Sequence, residues 1–297
     1  MYPRAFNYHR AQSLQEACTM LSQLGPEAKL LAGGQSLIPL MKLRFANPAH
    51  LVDLNFVPDT SFIKQADGAI CFGALTRHAD IESSDIAAKI PILHDCAAGI
   101  ADVQIRNRGT IGGSLAEADP SGDWATVLMT LPATITCLRA EKIRKVALSD
   151  FIKDAYTTDL AHEEVISEVR VEVPPKGSGG CYLAFKRSAP VYPSASVAVQ
   201  LSMVSEGCKD VSIFLGCVGL TPIRAAEAES ALRGKELDEK AISTAADAVR
   251  SAGDPQPDMR GSAEYKRSLV AGLLKRAIGI AVRRARGEQA EAGHIYA

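Results

Sequence analysis

At 297 residues, with 47% hydrophobic and 23% charged residues, the chain has ordinary globular values and room for two domains of roughly 100–200 residues each. A formal net charge of −1 gives no broad electrostatic footprint for nucleic acid or an anionic membrane. Seven scattered cysteines, with no C-x-x-C pair, argue against an iron–sulfur or zinc site built from this chain alone and read as small buried thiols of a reducing compartment. His162-Glu163-Glu164 lacks the second histidine of a zinc-binding helix, so metal chemistry is not expected. Met1 to Arg10 is polar and aromatic rather than a signal segment, and no apolar run approaches membrane-spanning length. A cytoplasmic protein is expected.

Ser13-Leu14-Gln15-Glu16 has the form of a capping box, and Leu14, Ala17, Cys18, Leu21 and Leu24 follow at helical spacing until Gly25-Pro26 stops them. A β-like run from Ala28 to Leu31 then enters Ala32-Gly33-Gly34-Gln35-Ser36-Leu37. His50 to Asn55 and Phe62 to Phe72 read as strands, the latter broken by the hairpin signal Asp67-Gly68. Local connections read as antiparallel rather than βαβ. A helical stretch from about Asp80 to Ile100 leads to Gly109-Thr110-Ile111-Gly112-Gly113-Ser114-Leu115-Ala116, and Trp124 to Leu131 is an apolar run ended by Pro132.

Strands are expected near Ala133 to Leu138 and Lys142 to Leu148, with a turn over Arg139 to Glu141. A further strand spans Val165 to Val173, with Val169, Val171 and Val173 on one face. Pro174-Pro175-Lys176-Gly177-Ser178-Gly179-Gly180 reads as a linker, which places domains at 1–175 and 180–287. The second domain offers strands at Cys181 to Phe185, Ser196 to Val204 and Val211 to Val218. A helix from Thr221-Pro222 to Gly234 follows, and then an amphipathic final helix through Leu269, Leu273 and Ala277. A three-stranded sheet packed by helices is its simplest architecture. Arg283, Arg284 and Arg286 read as a solvated helix end, and the chain reads as frayed from about Gly287.

The two glycine segments carry the chemistry. Glycine permits positive φ and lets an anion approach the backbone, and successive N–H groups in such a turn form an anion nest. Ser36, Thr110 and Ser114 add hydroxyls at the rim. A glycine pair alone also marks a simple tight turn, but two pairs flanked by hydroxyls point to a dinucleotide pyrophosphate held without lysine. Neither segment is the G-x-G-x-x-G of a Rossmann turn, and no G-x-x-x-x-G-K-[ST] occurs. A dinucleotide fold of another kind is implied.

Leu31 to Lys42 and Arg106 to Ala116, followed by Ala118-Asp119-Pro120 and Asp123, resemble the flavin-binding medium subunit of the molybdenum hydroxylases. That family includes bacterial carbon monoxide dehydrogenase and the flavin domain of xanthine dehydrogenase. Weaker matches at Gly73-Ala74-Leu75-Thr76, Glu164-Val165-Ile166, Phe185-Lys186, Tyr192-Pro193 and 258–265 extend the resemblance over essentially the whole chain. It implies an α+β fold: a p-cresol methylhydroxylase-type FAD-binding domain of two subdomains, then a smaller α+β C-terminal domain.

By resemblance, Ala32, Gly33, Gly34, Gln35, Ser36 and Leu37, with Thr110, Ile111, Gly112, Gly113 and Ser114, fall on the FAD pyrophosphate and ribityl chain. Asp123 falls where a carboxylate accepts from FAD hydroxyls, and Ile166 near the flavin ring. Lys186 and Tyr192 fall near the isoalloxazine, where a cation stabilises reduced anionic flavin and a ring covers its face. The residue types alone equally fit a helix N-terminal acid, a core strand residue, a surface lysine and a turn tyrosine. The chain departs from the family pattern at Gln35, where many relatives have histidine, at Ser114, where others have Asp or Asn, and at Val191, where Asp is common. It also lacks the cysteine-bearing insertion of aromatic-acyl-CoA-reducing relatives.

The resemblance implies the FAD subunit of a heterotrimeric oxidoreductase, expected as a dimer of heterotrimers. A large partner would hold the molybdopterin cofactor, and a small partner would pass electrons through [2Fe–2S] clusters to FAD and on to an external acceptor. Carbon monoxide, an N-heterocycle, a purine and an aldehyde are all compatible substrates of such a complex. Two alternatives stand beside this one: a stand-alone flavin oxidoreductase of the same fold, and a structural subunit without flavin.

Overall fold

A computed structural model describes residues 2–140, 142–293 and 295–296. Its first layer contains β1 (Asn7–Arg10), α1 (Leu14–Leu24), β2 (Ala28–Leu31), α2 (Leu37–Leu43) and β3 (His50–Asp53). Ser13 Oγ accepts from the Glu16 N–H at 3.0 Å, while the Glu16 carboxylate takes the Gln12 N–H rather than that of Ser13. The strands run in the order β1-β3-β2 and every pairing is parallel. This corrects the antiparallel reading. The unforeseen α2, whose Pro39 sits in the first turn where a missing N–H costs nothing, carries the chain back to the start of β3. Ala17, Cys18, Leu21, Ala28 and Val52 fill the space between α1 and this sheet.

The next layer begins with β4 (Ile63–Ala66) and β5 (Ala69–Gly73), joined as expected through Asp67 and Gly68 at φ of 49° and 74°. The single helix expected from Asp80 to Ile100 is divided into α3 (His78–Glu82), a 3-10 turn at 87–89 and α4 (Pro91–Gly99). Pro91 stands at the first position of α4, where it starts a helix but cannot continue one. There follow α5 (Val103–Arg106), α6 (Ile111–Glu117), α7 (Asp123–Leu128), β6 (Ala133–Arg139), β7 (Lys142–Ala147) and α8 (Leu148–Phe151). Of the expected turn between β6 and β7, Glu141 lies outside the described residues.

A small β8 (Ile152–Asp154) and β9 (Thr157–Thr158) pair leads to β10 (Val165–Glu172). The sheet order is β4-β5-β10-β6-β7, antiparallel throughout. A bulge between Ile166 and Glu168 shifts the register of β10, so Ile166 packs in the same core cluster as Val169 and Val171, while Val165 is buried in the core of the first layer.

The last layer has the three long strands expected: β11 (Ser178–Lys186), β12 (Ala195–Val204) and β13 (Gly207–Gly216). Two-residue edges, β14 (Ile223–Arg224) and β15 (Ile295–Tyr296), extend it to five in the order β14-β13-β12-β11-β15. Thr221-Pro222 therefore precedes a strand, and α9 (Ala226–Leu232) starts only afterwards; α10 (Glu239–Ala252) and α11 (Ala263–Ala285) complete the layer. Within the tail expected to fray, β15 pairs with β11, and His294 and Ala297 lie outside the described residues.

Ser178, Gly179 and Gly180, expected in the linker, open β11. A Cβ on Gly179 would lie 2.0 Å from Ala281 O of α11, and one on Gly180 would lie 3.1 Å from Ile92 Cβ of α4. Helices lie on both faces of the strand there, and against the α11 backbone at Gly179 only glycine permits the approach. Arg284 is not at a solvated helix end: its side chain is 9% exposed and bidentate on Asp95 of α4, at 2.6 and 2.9 Å. Tyr182, Ala184 and Ala198 accordingly join the core cluster of the second layer around Trp124, Phe72 and Ile92.

Candidate functional site

The two glycine segments meet backbone to backbone. A Cβ on Gly33 would lie 2.3 Å from Arg108 O and 2.8 Å from Gly109 Cα. Gly34 adopts φ +73°, and Gln35 folds its amide back to the Gly33 carbonyl at 3.2 Å. Among the described residues, no acceptor serves the backbone N–H groups of Gly33, Gly34, Gln35, Ser36 or Leu37. The first segment is thus a run of unspent donors.

The second segment differs from the nest read in the sequence. Ile111 and Gly112 donate to Thr76 O (3.1 Å) and Ala74 O (2.9 Å), while Gly113 and Ser114 donate to Thr110 Oγ1 (3.1 Å) and Thr110 O (3.0 Å). Its N–H groups build the first turn of α6, capped by the buried Thr110. Gly109 and Gly112 serve close packing, since a Cβ would lie 2.6 Å from His78 Nε2 or from Ala74 O. All three glycines border a cleft of about 660 Å³ that runs between both segments, and Gly113 is the one with no backbone packed against it.

The cleft brings together Ala32, Gly33, Gly34, Gln35, Ser36, Leu37, Thr110, Gly112, Gly113, Ser114, Asp123, Ile166, Lys186 and Tyr192. Ile111 is not among its walls; its side chain is fully buried in the core. The bulge in β10 lets Ile166 reach the cleft from a strand that would otherwise alternate. Asp123 opens α7 and accepts from the buried Tyr182 hydroxyl at 2.6 Å. Lys186 is not a surface lysine: it is 1% exposed and its Nζ donates to the Gly99 carbonyl at the end of α4. Tyr192 is half-exposed at the mouth, and burial together with the Asp119 carboxylate raises its phenol pKa.

Sequence reasoning missed three further walls. Asp119 interacts with the phenols of both Tyr156 and Tyr192. Glu117 also lines the cleft, with its carboxyl pushed up by burial and by Asp119. His78, an isolated histidine without any motif, is buried and accepts the Trp124 indole N–H on Nδ1 at 3.0 Å. Indole can only donate, so Nε2 of His78 carries the proton.

Two families match in tandem: residues 4–175 match the FAD binding domain in molybdopterin dehydrogenase, and residues 180–281 the CO dehydrogenase flavoprotein C-terminal domain. The chain belongs to the FAD-binding medium subunits of the molybdenum hydroxylases. It is 40% identical to the carbon monoxide dehydrogenase medium chain of Afipia carboxidovorans, over 96% of this chain and all of that one. It is 38% identical to subunit alpha of the 6-hydroxypseudooxynicotine dehydrogenase complex of Paenarthrobacter nicotinovorans, over 99% of this chain and 100% of that one. The structure superposes with a TM-score of 0.93 on carbon monoxide dehydrogenase from Hydrogenophaga pseudoflava lacking the Mo-pyranopterin moiety, at 38% identity over 96% of this chain and 99% of that one.

The residues of this medium subunit fit FAD. Five free N–H donors suit the pyrophosphate, and Ser36, Ser114 and Asp123 offer polar partners along the same cleft. Among the described residues, no group of His, Cys, Asp and Glu is arranged to hold a metal ion, and no helix is long and apolar enough to cross a membrane.

Burial and the nearby Arg77 charge lower the His78 pKa to about 3. A base held neutral in the fold stabilises it above its unfolded pKa of about 6.5, and that stability is lost as pH falls toward the folded value. Thermal denaturation should therefore show a shallower loss of stability between about pH 6.5 and 4 in His78→Gln than in the parent. Identical slopes would rule out a buried neutral His78.

Proposed function

We propose that this chain is the FAD-carrying electron-transfer subunit of a heterotrimeric molybdenum hydroxylase, receiving electrons from [2Fe–2S] clusters of a small partner and delivering them to an external acceptor. Substrate oxidation belongs to a large partner with the molybdopterin cofactor, and the assembly is a dimer of heterotrimers. The observation that carries this reading is the cleft between the two glycine segments, walled by unspent backbone donors in a chain that matches medium subunits over their full length. FAD supplies the redox chemistry there when bound.

The chain's own residues do the holding. Gly33 to Leu37 present N–H groups to the pyrophosphate, and Ser36 and Ser114 add hydroxyls. Asp123, fixed by Tyr182, accepts from cofactor hydroxyls. Ile166 packs at the ring, Lys186 places a buried cation beside it, and Tyr192 covers the mouth. This corresponds to a two-subdomain clasp of the p-cresol methylhydroxylase type over 1–175, with 180–287 as the second domain. All seven cysteines are free, and six are buried, which supports a reducing, cytoplasmic setting.

The test is the visible spectrum of the full chain, alone and assembled with its partners, with chromatography of the cofactor released on denaturation. FAD at about one per chain supports the proposal. A chain that takes up no flavin in either state is a structural subunit. A chain that holds FAD and oxidises a substrate without partners is a stand-alone oxidoreductase.

A further inference from the structure

We infer that Asn55 and Arg77, which no motif singles out, form a latch that fixes the two glycine segments against one another. The inference rests on the FAD reading of the cleft. Asn55 Nδ2 donates to Ala32 O of the first segment at 2.8 Å, and Asn55 Oδ1 accepts from Arg77 Nη2 at 2.6 Å. Arg77 Nη1 donates to Arg108 O, directly before the second segment. One side-chain pair therefore grips a carbonyl on each side of the Gly33–Gly109 contact.

The pair is itself held. Asp53 Oδ1 accepts from the Asn55 N–H at 2.8 Å and from Nδ2 at 2.6 Å, and Asp53 Oδ2 accepts from the Tyr8 hydroxyl at 2.6 Å. Both amide hydrogens of Asn55 are then in use, which leaves its oxygen for Arg77. The Arg77 backbone bridges to Thr110, the cap of α6, so the arginine is tied to the second segment by main chain as well.

Two consequences follow for the cradle. In a trans peptide the C=O and the next N–H point in opposite directions, so pinning Ala32 O to Asn55 turns the Gly33 N–H away from the latch. Among the described residues no carboxylate pairs with the Arg77 guanidinium, which is committed to two neutral oxygens. The Asp80 and Asp53 carboxylates act on that charge from beyond ion-pair distance, and it adds to the potential that the neighbouring cleft offers an anion. Arg77 does not line that cleft, so it is a positioning residue rather than a direct ligand.

The test uses Asn55→Ala, Arg77→Met and Arg77→Lys in the full chain assembled with its partners, with FAD affinity measured by fluorescence titration. Losing a hydrogen bond to a charged group should weaken FAD about tenfold or more in Asn55→Ala and Arg77→Met. The double variant should be no worse than about the weaker single one, because both break one link. Arg77→Met should also flatten the salt dependence of FAD affinity, while Asn55→Ala keeps it. A purely structural role would lower the thermal midpoint without these changes.

Asn55→Ala or Arg77→Met binding FAD within about twofold of the parent would overturn the latch, as would independent, multiplying effects in the double variant, while Arg77→Lys, which keeps the charge but not the two-pronged grip, should weaken FAD and retain the salt dependence. If the parent itself takes no FAD, the cofactor reading fails, and amide hydrogen exchange judges the latch alone. Faster exchange in Asn55→Ala at Ile38 and Leu40, whose N–H groups donate to Gly34 O and Ser36 O, upholds it, and unchanged exchange there overturns it.

Discussion

Gly113→Asp is expected to abolish FAD binding while leaving the fold intact. Gly113 sits in the first turn of α6 without positive φ, so aspartate is compatible with the backbone there and an acid is favoured near a helix start. Its Cβ would lie 2.7 Å from Thr110 Oγ1, so the Thr110 cap on the Gly113 N–H must shift at a cost of about 0.5–2 kcal/mol that Gly113→Ala shares, and 3.8 Å from Ala32 Cβ. The carboxylate would enter the cleft opposite the unspent N–H groups of Gly33 to Leu37. Two like charges about 4 Å apart repel by about 4 kcal/mol at an effective dielectric near 20, roughly a thousandfold in affinity. Gly113→Ala adds the same Cβ without charge and should retain FAD with only modest weakening. Flavin released per chain and the thermal midpoint of the flavin-free protein check both halves. Unchanged flavin content in Gly113→Asp would remove the phosphates from this segment.

The glycine segments were legible because their function needs particular residues at particular chain positions. Their division of labour was not. The free donors belong to residues 33–37, while the second segment spends its N–H groups on Ala74, Thr76 and Thr110. Whether a glycine serves a ligand or a neighbouring backbone depends on what the fold places against it, as Gly33 against Arg108 and Gly179 against Ala281 show. The same limit explains Gly179 and Gly180 reading as linker and Arg284 reading as solvated. Asp95, its partner, is 189 positions away. The parallel first sheet was missed because α2 is short and carries a proline, so the crossover had no periodic signal. His78, Asn55 and Arg77 are single polar residues, and only tertiary contacts give them meaning.

Arg284→Met is expected to cost about 3–5 kcal/mol of stability, because it removes a bidentate guanidinium from a buried carboxylate. Asp95 is 2% exposed, and burial already raises its pKa against the opposing pull of Arg284. In the variant that opposition is gone, and a carboxyl whose folded pKa lies above its unfolded value stabilises the fold only when protonated. The deficit should therefore be smaller near about pH 5 than near about pH 7.5, read by denaturant unfolding at both. Asp95→Asn added to Arg284→Met should recover part of the loss, since a neutral amide needs no counter-charge. A single variant within about 1 kcal/mol of the parent at pH 7.5 would show that the pair carries no such burden. The damage should also reach the cleft. Asp95 accepts the Tyr182 N–H at 3.2 Å, and the Tyr182 hydroxyl holds Asp123 at 2.6 Å. Loosening α11 from α4 thus frees the strand that orients Asp123, so FAD should dissociate faster from Arg284→Met even where the variant remains folded.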